Sequence, residues 1–504
     1  MSDSPEGPRA VALSLVSHTN VGKTTLARTL LGRDIGEVRD APHVTEFADA
    51  HELLVSEAGD RLTLWDTPGF GDSSRLLRRL RQEGNPVGWF LSAVWDRWRD
   101  RPFWSSQQAL KNVREQADAV LYLVNAAEAP ESAGYVAPEM ALLAWLDKPV
   151  VVLLNQMGAP RPAAEEAADA ERWRHHLARW PQVRAVLPLD AFARCWVQEG
   201  VLWRALGAAL PAAPATAMAR LHAAWAARRL ATFQASMQQL ARSLARIAAT
   251  RQPVAVGSAP GFAERIGRLG TLLGQRVLGG AADDATTRAQ QALAAALDDE
   301  VRASTAQLIA LHGLQGRAEG EILARVATQF ETRLPLPEGR AALWGGVVSG
   351  ALAGLKADIA SGGLTMGGGL LAGGLLGALG AAGLARGINV LRGTGPGWVA
   401  WNAEALMPMV DAALLRYLAV AHFGRGRGDW VLGEAPPHWT TRVEAALAPR
   451  RDALRALLHE AREDSEGNAD GLAAALLPLL AAATRQLLED LYPGCWPDEH
   501  NPPQ

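Results

Sequence analysis

The chain has 504 residues, enough for two or more domains, and 50 basic residues against 53 acidic ones give a net charge of −3. With a pI near 6.4 there is no global electrostatic case for nucleic acid, which is therefore not an expected partner. Cys195 and Cys495 form no disulfide framework and no metal-ligand spacing, as suits a reducing cytoplasm, and residues 1–9 lack the apolar core of a secretory signal.

In chain order, apolar runs alternate with helical stretches over the first 210 residues, which predicts an α/β domain with a mostly parallel six-stranded sheet. Strands are predicted over 10–16, 52–56, 61–65, 119–125, 150–155 and 184–189. Helices are predicted over 23–31, parts of 72–115, 138–146, 163–180 and 197–210. Between the first strand and the first helix lies Ser17-His18-Thr19-Asn20-Val21-Gly22-Lys23-Thr24, followed by Thr25. Strand, turn with Gly-Lys-Thr, then helix is the context of a phosphate-binding loop. Backbone N–H groups from Ser17 through Thr25, Asn20, Val21 and Gly22 included, would face the phosphates of a nucleotide. Lys23 would reach the β- and γ-phosphates, and the Thr24 hydroxyl would hold Mg²⁺. Only four of the basic residues are lysines, so a lysine at this position reads as chemically required: a guanidinium fork does not replace a compact ammonium. Ser17 stands where the usual pattern has its first glycine. The third strand ends on Asp66-Thr67-Pro68-Gly69, which places a carboxylate to hold Mg²⁺ and a Gly69 N–H to sense the γ-phosphate.

Asn20-Val21-Gly22-Lys23-Thr24 together with Trp65-Asp66-Thr67-Pro68-Gly69 resembles the Era/TrmE-like P-loop GTPases of the translation-factor class. With its long helical C-terminal region, the layout is similar to a bacterial family of G proteins whose C-terminal domain has no assigned function. The resemblance implies GTP or GDP with Mg²⁺, a metal shell of Thr24, Asp66 and a switch I threonine matched by Thr45, and catalysis through Lys23, Thr45 and Gly69. It also implies that Asn20 can hold a potassium ion. The guanine-reading motif of the class is matched by Asn155-Gln156-Met157-Gly158, where Asn155 and Gln156 fit the base side but Gly158 cannot supply the carboxylate that accepts from guanine N1 and N2. GTP is the expected nucleotide, with ATP or relaxed selectivity as the alternative. Leu189-Asp190-Ala191 is a weak match to the fifth motif. Phe70 follows Gly69 where some G proteins carry the glutamine that orients water, so turnover is expected to be slow and to rise with K⁺ or on self-association, as in a homodimer through this domain.

Residues 87–104 interleave Trp89, Trp95, Trp98 and Trp104 with Arg97, Arg99 and Arg101. Leu91, Val94, Trp95 and Trp98 share a helical face, which suits packing on its own domain, a partner face or a membrane interface. Pro211 and Pro214 mark a boundary. Residues 215–333 read as long helices without a catalytic constellation, and Pro335 and Pro337 mark a second boundary. A run of 25 uncharged residues, 361–385, has the length of a bilayer span and carries Gly369, Gly373 and Gly377 at i+4 spacing. With 341–355 it reads either as a membrane-entering hairpin or as a soluble one. The expected segments are thus a G domain over 1–210, a helical domain over 211–335, the glycine-rich hairpin over 336–395, a helical segment over 396–491 and a loose tail over 492–504. The chain is expected to act as a nucleotide switch for its helical region, in the cytoplasm or at the inner membrane face. A dynamin-like membrane remodeller and a nucleotide-binding protein with little hydrolysis are the alternatives.

Overall fold

The computed structural model describes residues 7–32, 48–81, 101–157, 163–191, 195–253, 277–314, 388–391, 398–422, 438–463 and 468–497. Thr45, Gly158, most of the tryptophan-arginine stretch and the glycine-rich runs of 341–385 lie outside these. The chain divides into two compact units: residues 1–232 with 421–436 and 492–504, and residues 233–420 with 437–491.

The first unit is built on a six-stranded sheet of order β2-β3-β1-β4-β5-β6. Its strands are β1 (Ala10–Ser17), β2 (Asp49–Val55), β3 (Arg61–Asp66), β4 (Ala119–Asn125), β5 (Val150–Asn155) and β6 (Val183–Pro188). All neighbours run parallel except β2 with β3. The central strands β4 and β5 read as unbroken apolar runs because helices cover both faces of a parallel sheet, and every residue of β5 is buried. The helices are α1 (Lys23–Leu31), α2 (Ser73–Leu80), α3 (Arg101–Gln116), α4 (Val136–Ala144), α5 (Ala163–Leu177) and α6 (Trp196–Ala209). Parallel pairing sets Leu15 beside Asp66, Ser17 beside Leu123 and Asn125 beside Asn155. The residues that end β1, β3 and β5 therefore leave the sheet at one edge, the carboxyl edge where such folds bind ligands.

Helix α7 (Ala212–Ala249) starts just past Pro211, and its residues from 233 on belong to the second unit. That unit holds α8 (Val277–Leu311), α9 (Ala403–Ala421), α10 (His438–Leu447), α11 (Arg451–Glu463) and α12 (Ala469–Leu491). It also holds a small antiparallel sheet that no sequence pattern announces, of order β7 (Arg251–Pro253), β9 (Trp398–Trp401), β8 (Ile388–Leu391). Among the described residues α12 is the one helix long and apolar enough to cross a membrane. Its Leu476, Leu480, Leu487 and Leu488 are buried, and it packs on α10 and α11, as a core helix does.

Residues 492–497 are not loose but pack on the first unit: the Trp496 ring lies 5.5 Å from that of Trp196, and Arg204 donates to the Gly494 carbonyl at 2.7 Å. An indole buried edge-on against another and a charge-assisted bond fix a segment whose proline content reads as loose.

Candidate nucleotide-binding site

The site begins with two backbone conformations that L-residues rarely adopt. Asn20 and Gly22 take positive φ, 65° and 94°, which folds the chain back between β1 and α1. A Cβ on Gly22 would lie 2.8 Å from Asn155 Nδ2, so close approach requires glycine there as much as the dihedral does. The turn aims the N-terminus of α1 at the carboxyl edge of the sheet and buries Lys23.

The Lys23 ammonium donates to Ser17 Oγ at 3.0 Å. The serine in place of the first glycine thus gives the lysine a partner within the loop itself. Burial pushes the ammonium below the ordinary lysine value, against the pull of Asp66 and Glu139. Thr24 Oγ1 donates to Asp66 Oδ2 at 2.6 Å, while Asp66 Oδ1 is buried without a hydrogen-bond partner. Burial pushes this carboxyl upward, and the Thr24 bond and the Lys23 charge oppose the shift. A hydroxyl and an orphaned carboxylate oxygen side by side fit a small hard cation that keeps most of its waters and takes one or two protein ligands, as Mg²⁺ does. Gly69 closes the site: a Cβ there would meet Lys23 Nζ and the Thr19 Cα at 3.1 Å. Next to it the Phe70 N–H donates to the Ser17 carbonyl at 2.9 Å, and the Phe70 ring is fully buried in the core.

On the base side, Asn155 is a brace. Its Nδ2 donates to the Val21 carbonyl at 2.7 Å, and its Oδ1 accepts from the Ala191 N–H at 2.8 Å. Fully buried, it joins the phosphate loop to the loop after β6. Thr29 on α1 adds a second tie, donating to the Ala191 carbonyl at 3.0 Å. Gln156 takes a positive φ of 57°, and its Nε2 lies 3.4 Å from the Asn20 carbonyl. The Met157 N–H donates to Asp190 Oδ2 at 2.8 Å. The structure therefore brings together Ser17, Asn20, Val21, Gly22, Lys23, Thr24, Asp66, Gly69, Asn155 and Gln156. Thr25 follows in α1 with its side chain buried.

One part of the site was not anticipated. Beneath the loop, Glu139 of α4 is fully buried. Its Oε1 accepts from His18 Nδ1 at 2.8 Å and its Oε2 from the Tyr122 hydroxyl at 2.6 Å. Ser73 at the start of α2 also hydrogen-bonds to it, and the His18 ring stacks on Tyr135 at 4.7 Å. Burial pushes the Glu139 carboxyl up while these donors pull it down. The signal available in the sequence was a lone carboxylate on the apolar face of a short helix, in line with Val136, Met140 and Leu143.

Comparison with known proteins agrees with this geometry. Residues 12–156 match the family described as 50S ribosome-binding GTPase, and residues 336–475 match a domain of unknown function (DUF3482). Residues 12–156 thus form a P-loop GTPase domain similar to those of Der GTPases. GTPase Der of Myxococcus xanthus is 40% identical over 73 residues, 14% of this chain and 16% of that protein. GTPase Der of Deinococcus deserti is 28% identical over 161 residues, 32% of this chain and 29% of that one. The match spans less than a third of these relatives. Among solved structures, Era with MgGDPNP and a fragment of 16S ribosomal RNA is 17% identical with a TM-score of 0.28, covering 36% of this chain and 51% of that one. Era of Aquifex aeolicus bound to GDP·AlF4⁻ is 18% identical with a TM-score of 0.30, covering 40% and 57%.

Proposed function

We propose that the chain is a GTP-hydrolysing switch whose nucleotide state governs its helical C-terminal region. The observation that carries this reading is the cluster of buried Lys23 and Asp66 with half-buried Thr24, one Asp66 oxygen being unpartnered. Lys23 would exchange the Ser17 hydroxyl for the β- and γ-phosphate oxygens and stabilise charge that develops as water attacks in line. Thr24 and Asp66 would hold Mg²⁺, which when bound neutralises charge on those oxygens. Thr45 is the residue expected to join them. Loop N–H groups around Gly22 would orient the phosphates, and the fixed backbone at Gly69 lies close enough to Lys23 to respond to a γ-phosphate.

Phe70 bears on rate. Its side chain is buried in the core, so position 70 offers no group to orient water, and turnover should be slow. Asn20 is exposed on the loop with a left-handed backbone and would be free to hold K⁺. Single-turnover hydrolysis of GTP with Mg²⁺ tests this reading. A slow rate that rises at least severalfold when Na⁺ is replaced by K⁺, and loses that rise in Asn20→Ala, is the expected outcome. Equal rates in the two salts refute the potassium role, and no hydrolysis in either refutes the enzyme.

A further inference from the structure

Glu139 sits where the phosphate loop and the segment after Asp66 are fastened to each other. His18, the second residue of the loop, forms an isolated parallel bridge with Phe70, and the Phe70 N–H donates to the Ser17 carbonyl at 2.9 Å. Three residues beyond Phe70, Ser73 opens α2. Its hydroxyl and His18 Nδ1, the latter at 2.8 Å, both bond the Glu139 carboxylate. One buried carboxylate thus grips the loop and the start of α2 together, while the Tyr122 hydroxyl of β4 ties it to the sheet at 2.6 Å. We propose that Glu139 is a positioning residue for hydrolysis, which through His18 and Ser73 sets Gly69 and the stretch after it against the phosphate loop.

A carboxylate is costly to bury unless donors satisfy it, and an apolar side chain would serve equally to pack α4 on α2. Here the three donors come from three different segments, so the group fixes the position of those segments relative to one another. On its other flank the same stretch is pressed against α3: the Gly71 N–H donates to Ser106 Oγ at 3.2 Å, and a Cβ on Gly71 would collide with Pro102. Gly69 begins this stretch, and Lys23 Nζ lies 3.1 Å from where its Cβ would be. GTP would bring a γ-phosphate to Lys23 and Gly69, whereas GDP has none. An anchor on residues 69–73 therefore acts on hydrolysis and leaves diphosphate binding to the loop itself. Misplacing a group at a reacting centre by about 1 Å can cost about a hundredfold in rate.

The inference rests on the proposal that the chain hydrolyses GTP, and single-turnover hydrolysis paired with calorimetric titration of Mg·GDP, both on the full chain, separates the two. Glu139→Gln keeps the shape of the side chain but loses its charge and one acceptor. Ser73→Ala removes the tie to α2 alone. Both variants should hydrolyse GTP at least tenfold more slowly, with GDP affinity within threefold of the wild type, and that retained binding shows that the fold is intact. Asp60→Asn, which breaks an ion pair with Arg220 elsewhere in the first unit, is the control for lost stability and should keep the wild-type rate. A wild-type rate in either Glu139→Gln or Ser73→Ala overturns the assignment of Glu139 and leaves the enzyme reading standing. A rate loss matched by an equal loss of GDP affinity, or shared by Asp60→Asn, also overturns it. A wild type that hydrolyses no GTP overturns both.

Discussion

At the scale of single residues, the site shows how buried polar groups constrain one another. Asn155 and Glu139 are both fully buried; hydrogen bonds tie Asn155 to two other segments of chain and Glu139 to three. Leaving a buried donor without its acceptor costs about 1–3 kcal/mol. Glu139→Ala strands both the Tyr122 hydroxyl and the His18 ring, so it should lower stability by about 2–3 kcal/mol, whereas Tyr122→Phe should cost only about 1 kcal/mol. Chemical denaturation of both single variants and the double variant checks this: the pair shares one bond, so the double variant should lose less than the two singles added. Strict additivity would show that the Tyr122–Glu139 bond contributes nothing. Residues at this scale were unevenly legible. Gly22, Lys23, Thr24 and Asp66 stand out because their chemistry is local to short motifs. Glu139 does not, because its partners His18, Ser73 and Tyr122 lie on three other segments and only folding brings them together.

At the scale of elements, the turn between β2 and β3 is clamped to α7. Fully buried Asp60 accepts from Arg220 Nε at 2.6 Å and Nη2 at 2.7 Å, from Ser56 Oγ at 2.7 Å and from the Arg9 N–H at 3.0 Å. Nearby, Glu199 of α6 accepts from Trp225 Nε1 and Arg229 Nη2, so two carboxylates fasten the first half of α7. The Arg220 bond, helped by those from Ser56 and Arg9, holds the Asp60 carboxyl well below the usual carboxylate range. Because the folded value is the lower one, the stabilisation is complete above the ordinary carboxylate value of about 4 and fades as pH falls below it toward the folded value. Asp60→Asn removes that linkage, so the melting temperatures of wild type and variant should differ most near neutral pH and converge as pH falls below about 4. A constant difference from pH 7 to pH 3 would contradict the ion-pair account. Elements were the most legible scale: the six strands and most helices of the first unit follow from apolar runs and helical spacing. The small sheet of β7, β8 and β9 does not, since strands of three or four residues carry too little periodicity to distinguish from loop.

At the scale of the whole molecule, two compact units share one chain, and the described residues of the candidate nucleotide site lie in the first. A ligand stabilises the fold that binds it by about 2.7 kcal/mol at one hundred times its dissociation constant. Calorimetric unfolding of the full chain with saturating Mg·GDP should therefore move the transition of the first unit upward and leave that of the helical unit in place. Equal displacement of every transition would instead mean that both units unfold as one. Domain borders were legible in the sequence only in part. Prolines at 211 and 214 mark the start of α7 well, but the helix carries the chain onward to residue 249, and the tail returns to the first unit through Trp496 and Gly494. Contacts that join residues some 290 apart in sequence leave no local trace.

The central claim is that Lys23 and its loop bind the phosphates of a guanine nucleotide, and direct titration of the full chain with Mg·GTP, wild type against Lys23→Ala, tests it most directly. The account predicts nanomolar-to-micromolar binding in the wild type and a loss of at least a hundredfold in the variant, with the fold intact by circular dichroism. Equal affinity in the two proteins would contradict it.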